Sequence, residues 1–306
     1  MSQKYRSNGK LMITGEYLAL QGATTFAVPL IFGQELEIEE VSHSLVYWRT
    51  LFKDKIIFHA IFETDQFNVL ETSDTEKSSW IKSVFLAIRD QKEDFLVDSG
   101  AEATATIDLH MNYGWGSSSS FITNLCKWAD VNPFWVNMKV GGGSGYDIAC
   151  ATVSQPILYH NESNLPKYKE VDYHPEFTQN MWFIFQENKM NTADAIRGFR
   201  SKRVNETVIS RVSEISQEWI KADSIDKIME LMREHEKLLS ECVNMDSIAK
   251  QYEDFNGEVK SLGAWGGDFM LAVSPMSGAD VISYFENKGR PTMFNWLEIV
   301  KNRKKE

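Results

Sequence analysis

The chain has 306 residues, of which 43% are hydrophobic and 25% are charged. This composition is that of an ordinary soluble globular protein and excludes a fibre, a repeat array or a disordered chain. The formal net charge is -11, with acidic and basic residues intermixed. Such a surface makes a nucleic-acid partner unexpected, although it leaves room for a local basic pocket that binds a small anion.

The cysteines and the first residues of the chain indicate the cellular compartment in which the protein is expected. Only Cys126, Cys150 and Cys242 occur, without the close spacing of a disulfide framework or a zinc site, which fits a reducing compartment. The first ten residues are polar and basic, and no apolar segment of signal-peptide length follows them. No apolar run approaches the length that spans a bilayer. We therefore expect a cytoplasmic enzyme with no membrane partner.

The first half of the chain is predicted to be rich in strands. Short apolar or alternating runs predict strands over 11–13, 17–20, 35–39, 45–48, 56–62 and 104–109. The first two of these flank a predicted turn at Gly15. Between residues 80 and 88, apolar side chains recur at helical spacing and predict a helix with Ser78 or Ser79 as its N-cap.

The second half is predicted to be rich in helices. Apolar residues at helical spacing predict helices over 204–219, 225–239 and 278–286, and apolar runs predict strands over 182–185, 269–273 and 293–296. Asp223 or Ser224 is expected to cap the second of these helices. A polar stretch over 161–176 predicts a boundary between the halves. We therefore predict an α+β protein with domains of residues 1–165 and 166–306.

A glycine- and serine-rich loop connects a predicted strand to a predicted helix. Residues 112–120 read NYGWGSSSS, and apolar residues at helical spacing follow at once. Glycines let backbone N–H groups approach a ligand, and a helix N-terminus favours negative charge. Serine hydroxyls bond phosphate oxygens or complete a Mg²⁺ shell. The alternative is a flexible loop ended by a serine N-cap.

A second loop places an acid beside a glycine turn. Residues 141–149 read GGGSGYDIA, so that Asp147 precedes small and apolar residues. One interpretation is a carboxylate directed into a cleft, and the other is a helix cap beside a turn.

A third loop contains several glycines and precedes an apolar strand. Residues 260–268 read KSLGAWGGD, which is also compatible with a simple turn between two strands. The phosphate-loop pattern G-x-x-x-x-G-K-[ST] and the protein-kinase signatures are absent, and no dinucleotide fingerprint occurs in the required strand–helix setting.

Together with GKLMITGEY at residues 9–17, these loops make the chain resemble the GHMP kinase superfamily, which includes galactose, homoserine, mevalonate and phosphomevalonate kinases. Three motifs of that superfamily occur here in its order: G-K-x-x-x-x-G-E, G-x-G-S-S and G-A-x-G-G. The resemblance spans nearly the whole chain.

Within the superfamily, the motifs are most similar to those of phosphomevalonate kinases. Residues 143–149 match G-S-G-[FY]-D-[VI]-A, Tyr17 follows Gly15–Glu16 where mevalonate kinases usually carry histidine, and Asp268 follows the last glycine pair. The resemblance implies a two-domain fold, with an N-terminal half like ribosomal protein S5 domain 2 and a C-terminal ferredoxin-like half.

The resemblance also implies a role for individual residues. Asp147 and Lys10 are expected to be catalytic, Asp147 receiving or orienting the acceptor proton and Lys10 neutralising charge on the transferring group. ATP phosphates are expected on Gly114, Gly116, Ser117, Ser118 and Ser119, with Ser118 also on Mg²⁺. The acceptor is expected on Glu16, Tyr17, Ser144, Gly145, Gly263, Ala264, Gly266 and Gly267.

Several residues depart from the superfamily pattern. Trp115 stands in place of leucine and Trp265 in place of a glycine, which raises the hypothesis that a tryptophan narrows the cleft or shifts the phosphates. Ser119 and Ser120 replace small apolar residues. No acid lies between Val131 and Tyr146, where some relatives carry a Mg²⁺-binding glutamate. Metal binding is then expected to rest on Ser118, the nucleotide and water.

The predicted function is ATP-dependent phosphorylation of a small molecule, most simply phosphomevalonate or mevalonate in isoprenoid precursor synthesis, by a monomer or homodimer. A phosphorylated acceptor needs cations, and Arg197, Arg200, Lys202 and Arg203 either supply them or form the solvated start of a helix. The alternatives are a sugar or sugar-phosphate kinase of the same superfamily and a nucleotide-binding homologue that has lost catalysis.

Overall fold

The computed structural model describes residues 2–108, 110, 112–162, 165–187, 199, 203–263 and 268–302. The chain forms two compact units. Unit 1 contains Met1–Gly9, Phe32–Met111 and Trp115–Thr152, and unit 2 contains Lys10–Ile31, Asn112–Gly114 and Val153–Glu306. The predicted division at residue 165 stays a prediction. No helix within the described ranges has the length and apolarity to cross a membrane.

Unit 1 contains most of a large sheet. Its strands are β1 (Gln3–Met12), β2 (Thr25–Val41), β3 (Leu45–Phe52), β4 (Lys55–Glu63), β5 (Val69–Thr72) and β6 (Gly100–Ile107), of which β1 and β2 also run through unit 2. The order is β5-β4-β3-β6-β2, with β1 paired to β2. All neighbours in this order are antiparallel except β3 and β6, which are parallel.

The helices of unit 1 pack on one face of this sheet. They are α1 (Thr75–Arg89), α2 (Ser117–Ala129), α3 (Pro133–Val140) and α4 (Tyr146–Thr152). Alternate residues of the strands, such as Val46 and Trp48, are buried against α1 and α2 through Phe85 and Phe121. The apolar side chains that alternate along the strands and those at helical spacing on α1 therefore pack together in one core.

Unit 2 combines a hairpin with a second sheet. The hairpin of β7 (Ile157–Glu162) and β8 (Leu165–Glu170) pairs with the start of β2. The second sheet has the order β10-β11-β9-β12 and is antiparallel, with strands β9 (Met181–Phe185), β10 (Glu258–Ser261), β11 (Phe269–Val273) and β12 (Met293–Asn295). The helices are α5 (Glu206–Trp219), α6 (Ile225–Val243), α7 (Gly278–Asn287) and α8 (Trp296–Ile299).

Most predicted elements are confirmed, and the α+β class is confirmed with them. The prediction of a strand over 17–20 is wrong: Tyr17 has a φ of 60° and leads into a 3-10 turn, Leu18–Gln21. The prediction of Ser78 or Ser79 as a cap is also wrong. The carboxylate of Asp74 caps α1 by accepting a bond from Lys77 N, whereas both serine hydroxyls bond to the Thr75 carbonyl inside the helix.

Candidate active site

The serine-rich loop leads into helix α2 of unit 1. Gly116 has a φ of 92°, and the helix begins at Ser117. The Ser117 side chain is half-buried and that of Ser118 is exposed. The first backbone N–H groups of a helix lack intrahelical acceptors, and its dipole favours an anion there. These residues therefore fit the predicted contact with ATP phosphates.

Ser119 is placed differently from the other two predicted serines. It is 1% exposed, and its hydroxyl donates to the Gly116 carbonyl at 2.9 Å. The hydroxyl of Ser120 donates to the same carbonyl at 3.1 Å. Both side chains thus close the first turn of α2 internally. Nucleotide contact by the Ser119 side chain stays a prediction. In the structure its hydroxyl is bonded within the helix.

Trp115, the first departure from the superfamily pattern, lies in the interior of unit 1. Its ring is 3% exposed and stacks on Phe32 with ring centroids 5.4 Å apart. The tryptophan therefore fills a buried apolar position of unit 1. Trp265, the second departure, lies outside the described residues.

Asp147 lies in the first turn of helix α4 in unit 1. The turn before it contains Gly143 and Gly145, with φ values of 145° and 89°. The Asp147 side chain is half-buried, and the next residue, Ile148, is fully buried in the same apolar cluster as Phe121 and Ile122 of α2. The residues that follow Asp147 and the serine loop are thus packed in one core. Ser144 and Gly145, predicted to bind the acceptor, are both buried.

Lys10 belongs to unit 2, where it contacts the beginning of the serine-rich loop. Its Nζ donates to the carbonyl oxygen of Gly114 at 2.9 Å. Gly114 has a φ of 62°, a left-handed conformation that glycine adopts without strain. The ammonium group of Lys10 therefore lies beside the predicted phosphate-binding loop, while its catalytic role stays a prediction. Convergence of Lys10 with Asp147, which belongs to unit 1, stays a prediction.

Glu16, predicted to bind the acceptor, lies in a buried ionic cluster of unit 2. The Nζ of Lys260 donates to Glu16 Oε1 at 2.6 Å and to the Ile13 and Ser261 carbonyls at 2.8 Å each. Glu16 is 1% exposed and Lys260 is fully buried. Contact of Glu16 with an acceptor stays a prediction, whereas the structure shows it pairing with a lysine of strand β10.

Two residues of helix α6 complete this cluster. His235 Nε2 accepts a bond from Gly15 N at 2.9 Å. The carboxylate of Glu236 accepts bonds from the backbone N–H groups of Ser261 and Ile248. Burial raises the pKa of Glu236 and holds that of His235 well below its usual value, so the imidazole is neutral. The cluster joins the turn after β1 to α6 and β10.

The surroundings of the second oxygen of Glu16 favour the protonated acid. Oε2 lies 3.3 Å from His235 Nε2, an atom that already accepts a hydrogen bond, and within the described residues Oε2 has no donor. A proton on Glu16 resolves this contact between two acceptors. Burial, opposed in part by Lys260, raises the Glu16 pKa to about 7.

The stability of the protein is therefore expected to depend on the titration of Glu16. A carboxyl whose pKa is about 7 when folded, instead of the usual 4.5, contributes stability that is full below pH 4.5 and is lost as pH rises through 7. Glu16→Gln mimics the neutral acid. Urea unfolding between pH 5 and 8.5 should show the variant gaining stability relative to wild type as pH rises. A relative loss would mean that Lys260 keeps Glu16 ionised.

The remaining predicted acceptor residues are only partly described. The Tyr17 ring packs on Phe199 at 5.1 Å between centroids and is half-buried. Gly263 is exposed with a φ of 64°. The described residues exclude Ala264, Gly266 and Gly267 of the third loop, and also Arg197, Arg200 and Lys202, while Arg203 is exposed.

Several residues that hold these loops were not predicted from the sequence. Lys260, His235 and Glu236 carry no motif signal, since a lysine in a strand and a His-Glu pair in a helix are ordinary surface patterns. His235 has a structural role, since its Nε2 accepts the backbone N–H of Gly15.

Ser118, the predicted Mg²⁺ ligand, is accessible to a ligand. The Ser118 side chain is exposed at the start of α2 and is free to supply one oxygen, while phosphates and water would supply the others. In the described part of the chain, no group of three or more His, Cys, Asp or Glu residues is arranged to hold a metal ion. A site that depends on substrate phosphates fits these residues better than a site built by protein alone.

Comparison with solved structures identifies the fold. No protein-family model and no curated protein sequence matches the chain. The mevalonate kinase of Methanococcus jannaschii matches with a TM-score of 0.70 and 16% identity over 99% of this chain and 98% of that one. Phosphomevalonate kinase of Streptococcus pneumoniae, in complex with phosphomevalonate and AMPPNP, matches with a TM-score of 0.69 and 16% identity over 96% and 99%.

A sugar kinase matches equally well. Galactokinase of Lactococcus lactis, complexed with galactose, has a TM-score of 0.69 and 15% identity over 98% of this chain and 93% of that one. The chain thus has the fold of the GHMP small-molecule kinases, and the fold predicted from the resemblance is confirmed. At these identities, the similarity defines the fold and leaves the acceptor to be inferred from the site.

Proposed function

We propose that the protein is an ATP-dependent kinase that transfers the γ-phosphoryl group to a small-molecule acceptor. The observation that carries this proposal is the similarity of fold over nearly the full length of both chains to three kinases with different acceptors. The open start of α2, preceded by left-handed Gly114 and Gly116, gives the phosphates a compatible environment.

In the proposed mechanism, this chain supplies alignment and charge. Backbone N–H groups at Gly116 and Ser117 and the Ser118 hydroxyl hold the phosphates. The Ser118 hydroxyl would also help to hold Mg²⁺, which would offset the phosphate charge when bound. Lys10, tethered to the Gly114 carbonyl, stabilises charge on the transferring group. Asp147 receives the proton of an attacking hydroxyl, or positions an acceptor that is already deprotonated.

The proposed acceptor is phosphomevalonate or mevalonate. The match of residues 143–149 to the phosphomevalonate kinase motif supports it, as does the similarity of fold to a mevalonate kinase and a phosphomevalonate kinase. The equal similarity to a galactokinase makes galactose the first competitor to test. Three free cysteines are compatible with the reducing cytoplasm as the proposed compartment.

The acceptor is tested by measuring ADP release with phosphomevalonate, mevalonate, galactose and a heptose phosphate at equal concentrations. We expect ADP release that depends on the acceptor and is fastest with one of the two mevalonate compounds. Faster turnover with galactose or a heptose phosphate would move the protein to the sugar-kinase branch. Calorimetric binding of AMPPNP without turnover of any acceptor would contradict the proposed activity.

A further inference from the structure

The first three residues of the serine-rich loop are anchored separately from helix α2. Residues 112–114 belong to unit 2, whereas the loop from Trp115 onward belongs to unit 1. Within unit 2, the Tyr113 ring contacts Phe185, Phe269 and Phe294 at centroid distances of 4.6, 5.3 and 5.8 Å. These three phenylalanines come from strands β9, β11 and β12. The second sheet thus holds Tyr113 in an aromatic box.

Gly114 follows Tyr113 in the chain, and the side chain of Asp268 lies directly against it. A Cβ atom added to Gly114 would come 2.0 Å from Asp268 Oδ2 and 3.0 Å from its Cγ. The carboxylate therefore occupies the space of a side chain at position 114. Glycine is required at this position for two independent reasons, the carboxylate and the left-handed φ of 62°.

The backbone of Asp268 is fixed by the second sheet. Its carbonyl accepts a hydrogen bond from Gln186 N at 2.8 Å, and the next residue, Phe269, begins strand β11 beside β9. The carboxylate is therefore presented from the start of β11, an interior strand of the second sheet, at the end of the third glycine loop.

Lys10 contacts the same glycine through its carbonyl oxygen. The distance from Lys10 Nζ to Gly114 O is 2.9 Å. A cation and an anion thus contact one residue, Gly114, at the entrance to the predicted phosphate-binding loop. Opposite charges attract strongly where solvent is partly excluded, and the Lys10 and Asp268 side chains are both half-buried.

We infer that Asp268 is a positioning residue for the proposed phosphoryl transfer. Its carboxylate holds Gly114 in place and attracts the Lys10 ammonium group toward the carbonyl oxygen of Gly114. This inference rests on the proposed function. Asp268 acts through Lys10 and Gly114 and forms no bond with the transferred group. Its negative charge and its contact with Gly114 make separate contributions, so each can be tested with its own variant.

The charge is tested with Asp268→Asn, which keeps the size of the side chain. We expect kcat to fall about 10- to 100-fold, the usual effect of a slightly misplaced reacting group, with a change of about threefold or less in KM for ATP. Asp254→Asn is the control, because it removes a carboxylate of unit 2 that pairs with Lys288 at 2.9 Å and that has no part in the proposed site. The control should keep wild-type kcat.

The contact is tested by a double-mutant cycle that needs no turnover. Gly114→Ala should lower the midpoint of thermal unfolding and the affinity for AMPPNP. Combined with Asp268→Gly, the same substitution should cost less, because the carboxylate no longer occupies the space of the new methyl group. If the effects of the two substitutions add in both the unfolding midpoint and the affinity for AMPPNP, the proposed contact between Asp268 and Gly114 is wrong.

The outcomes separate this inference from the function on which it rests. An active wild-type protein whose Asp268→Asn variant keeps wild-type kcat would refute the role of Asp268 alone. A wild-type protein that binds AMPPNP but phosphorylates no acceptor would refute the proposed function, and the positioning role with it. In that case, the double-mutant cycle would still decide whether Asp268 and Gly114 are in contact.

Discussion

Asp147→Asn is expected to lower kcat for phosphoryl transfer by about two to four powers of ten, the range for loss of an acid–base group. The substitution preserves shape but removes the carboxylate that the proposed mechanism places at the acceptor. Ile148 and Ala149, which follow it in α4, are fully buried and anchor the helix independently of the carboxylate. The thermal unfolding midpoint should therefore change little.

The control for this variant is Asp130→Asn, at the exposed C-terminal end of α2. Asp130 has a φ of 56°, which asparagine also adopts readily, so this variant should keep both stability and kcat. The kcat values of the two variants are compared at saturating ATP with the best acceptor. Turnover of Asp147→Asn within a few-fold of the control would rule out the assigned role.

Lys260→Met is expected to destabilise the protein by about 3–5 kcal/mol at pH 8, as when one partner of a buried ion pair is removed. The loss would leave the ionised Glu16 carboxylate and the Ile13 and Ser261 carbonyls without their shared donor. Lys260 lowers the pKa of Glu16, so in the variant that pKa rises above its wild-type value of about 7. At pH 6 the cost should therefore be smaller than at pH 8, because the Glu16 carboxyl takes up a proton. Chemical denaturation at the two pH values measures both effects.

A second substitution should reverse most of this loss. Glu16→Gln in the Lys260→Met background removes the remaining charge, and a neutral pair of similar volume is often tolerated in a protein interior. Lys250→Met, at an exposed lysine that pairs with Asp246, is the surface control and should have little effect. If the double variant is no more stable than Lys260→Met alone, Glu16 and Lys260 do not act as a pair.

Long periodic segments of the fold were predictable from the sequence because local spacing determines them. Helix α6 has its apolar residues on one face, and its cap at Ser224, one of the two residues expected, follows from side-chain chemistry. The segment after Gly15 was not predictable in this way. Its apolar residues suit a strand, but the positive φ of Tyr17 and the burial of Leu18 against α5 and α6 turn it into a 3-10 segment.

The candidate site was predictable only where a motif is local. The apolar spacing after Ser120 correctly indicated an α-helix, although the helix begins earlier, at Ser117. The resemblance assigned Lys10 to the transferring group, and the structure places its ammonium at the Gly114 carbonyl. The pairing of Lys260 with Glu16, 244 positions apart, follows no period and carries no motif. The seating of the Asp268 carboxylate against Gly114 likewise arises from tertiary packing.

The central claim is that the protein transfers the γ-phosphoryl group of ATP to a small molecule, and isotopic labelling tests it most directly. ATP that carries ¹⁸O at its γ-phosphoryl oxygens is incubated with the protein and the best acceptor, and the masses of the products are measured by mass spectrometry. We expect ADP and an acceptor whose new phosphoryl group retains the label. Labelled inorganic phosphate with an unmodified acceptor, or ATP left intact, would contradict the account.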